Sequence, residues 1–256
     1  MYIDSHCHVD FPQLAENIDA VLANMQQHQV QKALVVSVCL EDWPRLMQLV
    51  EDHPEFYASV GVHPGYDDVP EPSYEDLYQR AQHPKVIAIG ETGLDYYRLT
   101  EPLNWQRERF ALHLQVSKDL GLPSIIHTRS AYDDTIAIMK AADSDVAGVM
   151  HCFGEDWEAA KHALDLGYYI SLSGIVTFKN APQVHEVAQK VPLDRLLIET
   201  DSPYLAPVPY RGKTNEPAWV LHVAEHIAEL RGVSAAQIAQ ATTANFYQLF
   251  NKAQTR

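Results

Sequence analysis

Eight short apolar, β-branched runs alternate with longer amphipathic stretches along this chain, and that alternation limits the folds open to it. The runs are MYIDSH (1–6), KALVVSV (32–38), FYASVGV (56–62), KVIAIGE (85–91), PSIIH (123–127), AGVMH (147–151), YYISLSG (168–174) and RLLIET (195–200). Between them, stretches such as LAENIDAVLANMQQHQ, NWQRERFALHLQVSKDLG and EDWEAAKHALDLG repeat apolar residues at three and four, the helical period. DLGLP (119–123) and DLGYY (165–169) place a glycine between a helix and the next strand. Two further helical patterns, near 217–231 and 234–251, finish the chain.

Strands that alternate with helices pair in parallel, and eight is the number at which such a sheet closes. The expected fold class is therefore α/β, a (β/α)8 TIM barrel, with residues 1–256 forming a single domain. An open doubly wound sheet is the other arrangement of such units. It would normally carry a glycine-rich phosphate loop after the first strand, and none occurs here. No linker, low-complexity tract or internal repeat interrupts the pattern. The proline-rich segment SPYLAPVPYRGKTNEP after the eighth strand reads as a long functional loop.

Composition narrows the partners. No run of ~18 apolar residues predicts a membrane span, and no basic region followed by an apolar stretch predicts a signal peptide. The three cysteines, Cys7, Cys39 and Cys152, form no CxxC pair, which suits reduced thiols and a cytoplasmic location. The formal charge of −15 argues against a long basic groove for a nucleic-acid backbone. A nucleic-acid substrate would be gripped locally, over a few nucleotides. No dimer signature is present, and a monomer is expected.

The chemistry gathers at strand ends. His6 and His8 close the first strand, His63 follows the third, Glu91 ends the fourth, His127 the fifth and His151 the sixth, while Asp201 follows the eighth. In a barrel these C-terminal ends converge on one mouth, where active sites sit. His6 and His8 are two apart and share a side of an extended strand, with Cys7 turned away. An isolated HxH can equally be two exposed histidines. Joined to five further imidazoles and carboxylates at other strand ends, it predicts a site for divalent ions. Four histidines and two carboxylates exceed one tetrahedral shell. That favours two metals about 3.5–4 Å apart, with Glu91 as the shared ligand.

The segments DSHCHVD, GVHP, IGETGLDYY, LPSIIHTR, HCF, ETDSPYLAP and RGKTNEPAWV, in this order, resemble the TatD family of metal-dependent deoxyribonucleases within the amidohydrolase-like barrels. HCFGED departs from the commoner HCFSG and is similar to the version in the YcfH-like branch. The resemblance spans nearly the whole chain. It implies one metal on His6, His8, Glu91 and Asp201, and a second on Glu91, His127 and His151. It also implies hydrolysis of phosphodiester bonds in DNA or RNA, as a 3′–5′ exonuclease on single strands, with Mg²⁺, Mn²⁺ or Zn²⁺ as cofactor.

On that basis Asp201 is expected to orient a metal-activated water and take its proton. Glu199, two residues earlier, is a further catalytic candidate; it either orients a ligand or pairs structurally in the core. Asp4 poses the same choice. His63 is expected to contact the scissile phosphate or the leaving group. Arg129 either binds a phosphate or pairs with Asp133 or Asp134. Arg211, Lys213 and Asn215 either bind a nucleotide or pin their loop. Tyr96, Tyr97 and Tyr204 either stack on bases or pack within the loops. Two rival activities remain. One is ester hydrolysis on D-aminoacyl-tRNA, a lactone or a phosphotriester; the lysine that often bridges the metals in such lactonases and phosphotriesterases is replaced here by Glu91. The other is a non-catalytic metal-binding module, which would not need Asp201.

Overall fold

A computed structural model describes residues 1–97 and 103–255. Its eight strands are β1 (Tyr2–Cys7), β2 (Val30–Val35), β3 (Phe56–Val60), β4 (Val86–Asp95), β5 (Ser124–Arg129), β6 (Val149–Met150), β7 (Tyr169–Leu172) and β8 (Leu196–Ile198). They lie side by side in chain order, each pair parallel. Past the end of β8 the chain crosses to β1. Asp201 N–H donates to His6 O at 3.0 Å, His8 N–H donates to Ser202 O at 2.8 Å, and Cys7 bridges Ser202. Asp4 reinforces the seam from below: Oδ1 accepts from Thr200 N–H at 2.9 Å and Oδ2 from the Thr200 hydroxyl at 2.5 Å. The expected barrel is the one observed.

Local signals place the helices between strands. Asp156 caps Trp157–Asp165 by accepting from Ala159 N–H, and Ser234 with Gln237 forms a capping box on Ala235–Leu249. Asn104–Leu120 stops at Gly121, whose φ of 64° lies in the left-handed region. The apolar stripes of these helices cover the outer face of the sheet, where Cys7, Val35, Ala58, Ile89 and Ile126 are fully buried. A second cluster joins Ile3, Tyr57, Ile87 and Ile125 to Phe246, Leu249 and Phe250 and closes the N-terminal end of the barrel. Among the described residues no helix is long and apolar enough to cross a membrane.

Strand lengths depart from the sequence pattern at the ends that matter. β4 continues four residues beyond Glu91, pairing as far as Asp95 with Arg129. The close approach is open because position 93 is glycine; a Cβ there would lie 2.0 Å from His127 O. β6 shrinks to two residues, and β8 ends at Ile198, so His151, Glu199 and Asp201 sit just past the ladder.

The helix Asn104–Leu120 pins the segment after β3. Arg109 donates to His63 O and Tyr66 O and pairs with Glu71 at 2.6 Å. The His113 Nε2 accepts from Val62 N–H at 3.1 Å while Nδ1–H donates to Arg109 O at 2.7 Å, so both ring nitrogens are used with the imidazole neutral. Burial pushes His113 down to about 4, against the opposing bond to Arg109 O. Between pH 6.5 and 4 the unfolded chain takes up this proton and the native protein does not, so the stability from neutral His113 is present above pH 6.5 and lost as pH falls. In chelator, the gap between wild type and His113→Gln should narrow by about 3 kcal/mol from pH 7 to pH 4, measured by urea unfolding. A gap constant with pH would contradict this account.

Candidate metal centre

Glu91 lies at the middle of the mouth with its side chain 3% exposed, and its two oxygens face different histidines. Oε2 is 3.3 Å from His6 Nε2 and 3.9 Å from His8 Nε2. Oε1 is 2.8 Å from His151 Nε2, 3.1 Å from His127 Nδ1 and 3.4 Å from His63 Nε2. Asp201 Oδ1 joins the first group, 3.5 Å from His8 and 3.7 Å from His6. The six residues expected as ligands from five strand ends thus converge. Asp201 reaches the mouth through a left-handed backbone, φ 55°, a conformation that aspartate tolerates better than most side chains. Its conformation is held by the bond to His6 O and by Tyr204 N–H donating to Asp201 O.

The spacing suits cations. His6 Nε2 and His8 Nε2 are 3.2 Å apart, and His127 Nδ1 and His151 Nε2 are 3.3 Å apart. Two nitrogens bound to one tetrahedral ion at about 2.0–2.1 Å are themselves about 3.3 Å apart. The far nitrogens leave these atoms free to ligate. His8 Nδ1–H donates to Val36 O at 3.0 Å, and His151 Nδ1 lies 3.2 Å from Glu199 Oε1. The donor set, imidazoles and carboxylates without thiolate, fits Zn²⁺, Mn²⁺ or related ions.

Without cations the same groups must share protons. Burial opposes charge on Glu91, yet His151, His63 and His6 beside it and the His127 hydrogen bond hold its carboxyl well below the usual range. Burial, then the His151 charge, push His6 down, while Asp201 and Glu91 outweigh burial and lift His8 to about 9.

The neighbouring candidates separate into different roles. His63 Nδ1 accepts from Gly65 N–H at 2.8 Å, which leaves the proton on Nε2, the atom facing Glu91. Burial drives His63 down to about 3, so it is a neutral donor at the mouth. Glu199 is fully buried behind His151 and also accepts from Cys152 N–H at 2.8 Å. Of its two expected roles the geometry matches the first, orienting a ligand: Oε1 meets His151, and Oε2 has no hydrogen-bond partner among the described residues. For Asn215 the structure takes the second of the two expected alternatives, pinning the loop, over binding a nucleotide. It is fully buried, its amide donates to Thr200 O and Tyr204 O, and its oxygen accepts from Glu216 N–H, so it clamps its loop.

Three expected substrate contacts remain open to solvent. Arg129 lies over the Tyr97 ring at 3.8 Å, Arg211 over Phe178 at 3.6 Å, and Lys213 over Tyr210 at 5.3 Å. Asp134, a considered partner of Arg129, instead pairs with Arg107 at 2.6 Å and accepts from Tyr96 OH. Tyr204 is 53% exposed and meets the edge of Phe11, which stacks on His8 with ring centres 4.9 Å apart. Sequence reasoning missed Phe11 and Asp95. Asp95 Oδ2 lies 3.3 Å from His127 Nε2. Its signal is the two-residue period Glu91, Gly93, Asp95, which runs past the strand end expected at Glu91.

Comparisons with known proteins agree with this geometry. A family model described as TatD related DNase matches residues 3–251. The chain is 48% identical over 253 residues to the uncharacterized metal-dependent hydrolase YcfH of Escherichia coli K12, covering 97% of this chain and 95% of that one. It is 39% identical over 252 residues to the uncharacterized metal-dependent hydrolase YabD of Bacillus subtilis, covering 98% and 99%. The crystal structure of YJJV, a TatD homolog from Escherichia coli K12, superposes with a TM-score of 0.92 at 33% identity, covering 98% of each chain. The chain belongs to the TatD family of metal-dependent hydrolases.

Proposed function

We propose that the protein hydrolyses phosphodiester bonds of nucleic acid at a two-metal centre, shortening single strands from the 3′ end. The observation that carries this reading is the division of Glu91 between two nitrogen pairs, each at the spacing of ligands on one ion. His6, His8, Glu91 and Asp201 would hold one ion, and Glu91, His127 and His151 the other. Bound divalent ions lower the pKa of a coordinated water and offset the charge of a phosphoryl group. The family's description as a DNase favours DNA as the polymer.

The chain's own groups supply the rest. Asp201 is 17% exposed, the most open carboxylate beside His6 and His8; burial opposes its charge, but the His8 hydrogen bond and the charges of His6, His151 and His8 together outweigh burial and hold its carboxyl below the usual range. It orients the attacking water and takes its proton. His63 presents Nε2–H to a phosphoryl or leaving-group oxygen. Arg129 and Arg211 offer guanidinium groups to phosphates, and Tyr97 and Tyr204 offer ring faces to unstacked bases. Two divalent ions would offset the carboxylates gathered at the mouth in a chain of net charge −15. That suits a short grip on a strand end.

Two expectations follow. Metal analysis after dialysis should find two equivalents in wild type and neither in Glu91→Gln, because the shared ligand is lost; two equivalents retained would sink the assignment. Asp201→Asn, with its fold checked by thermal unfolding, should lose about 10²–10⁴-fold in kcat on a 5′-labelled single strand. The readout is stepwise shortening on a gel with Mg²⁺, Mn²⁺ or Zn²⁺. Turnover of a lactone, a phosphotriester or D-aminoacyl-tRNA while strands stay whole would overturn the nuclease reading.

A further inference from the structure

We propose that Asp95 is a positioning residue of this centre: its carboxylate holds the His127 ring so that Nδ1 is turned to Glu91. The inference rests on the metal-centre reading above. His127 Nε2 lies 3.3 Å from Asp95 Oδ2, while Nδ1 on the other side of the ring lies 3.1 Å from Glu91 Oε1 and 3.3 Å from His151 Nε2. An Nε2–H donated to a carboxylate leaves the Nδ1 lone pair free and makes it a stronger ligand. A ring without that acceptor is free to take the other tautomer or to turn its Nε2 inward.

Asp95 is itself held on several sides. Its Oδ1 accepts from Tyr97 N–H at 2.9 Å. Its backbone is clamped by the fully buried Gln106: Asp95 N–H donates to Gln106 Oε1 at 3.0 Å, and Gln106 Nε2 donates to Asp95 O at 3.1 Å. The same Gln106 amide donates to Pro64 O at 2.9 Å, next to His63. The outer helix Asn104–Leu120 therefore sets the end of β4, the end of β4 sets the His127 ring, and that ring faces the shared carboxylate. Burial opposes charge on Asp95, but the His127 hydrogen bond, the Tyr97 N–H and the His127 and Arg129 charges together outweigh it and favour the carboxylate.

The experiment compares wild type, Asp95→Asn, Asp95→Glu and Glu91→Gln, each stripped by chelator and titrated with Zn²⁺ against a chromogenic competitor. Thermal unfolding of each metal-free protein is measured alongside. Asp95→Asn should weaken one of the two zinc equivalents about 10–100-fold, leave the other unchanged, and leave the metal-free melting temperature near wild type. Asp95→Glu, which keeps a carboxylate, should recover part of the affinity, and activity lost in Asp95→Asn should return as zinc is raised. Two equivalents bound as tightly as in wild type would overturn the role of Asp95, whether or not the melting temperature falls. Glu91→Gln retaining both equivalents, or wild type taking up none, would instead overturn the metal centre and this inference with it.

Discussion

The Glu91 carboxylate is the interaction on which the mouth of this barrel depends. A carboxylate 3% exposed needs partners, and Glu91 has five imidazoles within 4 Å of its oxygens. Those imidazoles come from four strand ends. Because each oxygen serves a different set, the carboxylate also divides the mouth into two halves. Removing it would take away the one carboxylate that all five imidazoles share.

Such a centre is held from behind as much as from within. Four of the five facing histidine nitrogens are set by what the opposite nitrogen meets: Val36 O for His8, Asp95 for His127, Glu199 for His151 and Gly65 N–H for His63, whereas His6 Nδ1 has no hydrogen-bond partner among the described residues. These partners separate ligands from donors. His63 has given its lone pair to the backbone and can only donate at the mouth, whereas His8, His127 and His151 direct their proton outward. The acceptors sit just past β2, on the extended end of β4 and just past β8, so the strands that build the barrel also aim the rings.

The seam between β1 and β8 matters for the same reason. His6 O and His8 N–H are ladder partners of Asp201 and Ser202, so barrel closure and the placing of Asp201 are one set of hydrogen bonds. Asp4 below them ties Thr200 to β1 and is buried enough that its carboxyl is raised to about 8, despite the bonds from Thr200. The cost of gathering buried ionisable groups is met by an apolar outer layer and by the cluster around Phe246 and Phe250 that fills the opposite end.

The sequence by itself determined the strand count, the parallel barrel and the residues at the strand ends. Period-two and period-3.6 patterns are local, and His6, His8, Glu91, His127, His151 and Asp201 each sit beside such a pattern. Tertiary structure alone decided what stands behind those residues. Asp95 became visible only when Gly93 let β4 run on beside β5. Glu199 turned to His151, and Asn215 turned inward to Thr200 and Tyr204, which decided between alternatives that the sequence had left open for both. The reason is physical: whether a polar side chain faces solvent, a ligand or a backbone group depends on strands far apart in the chain, and no local spacing encodes that meeting.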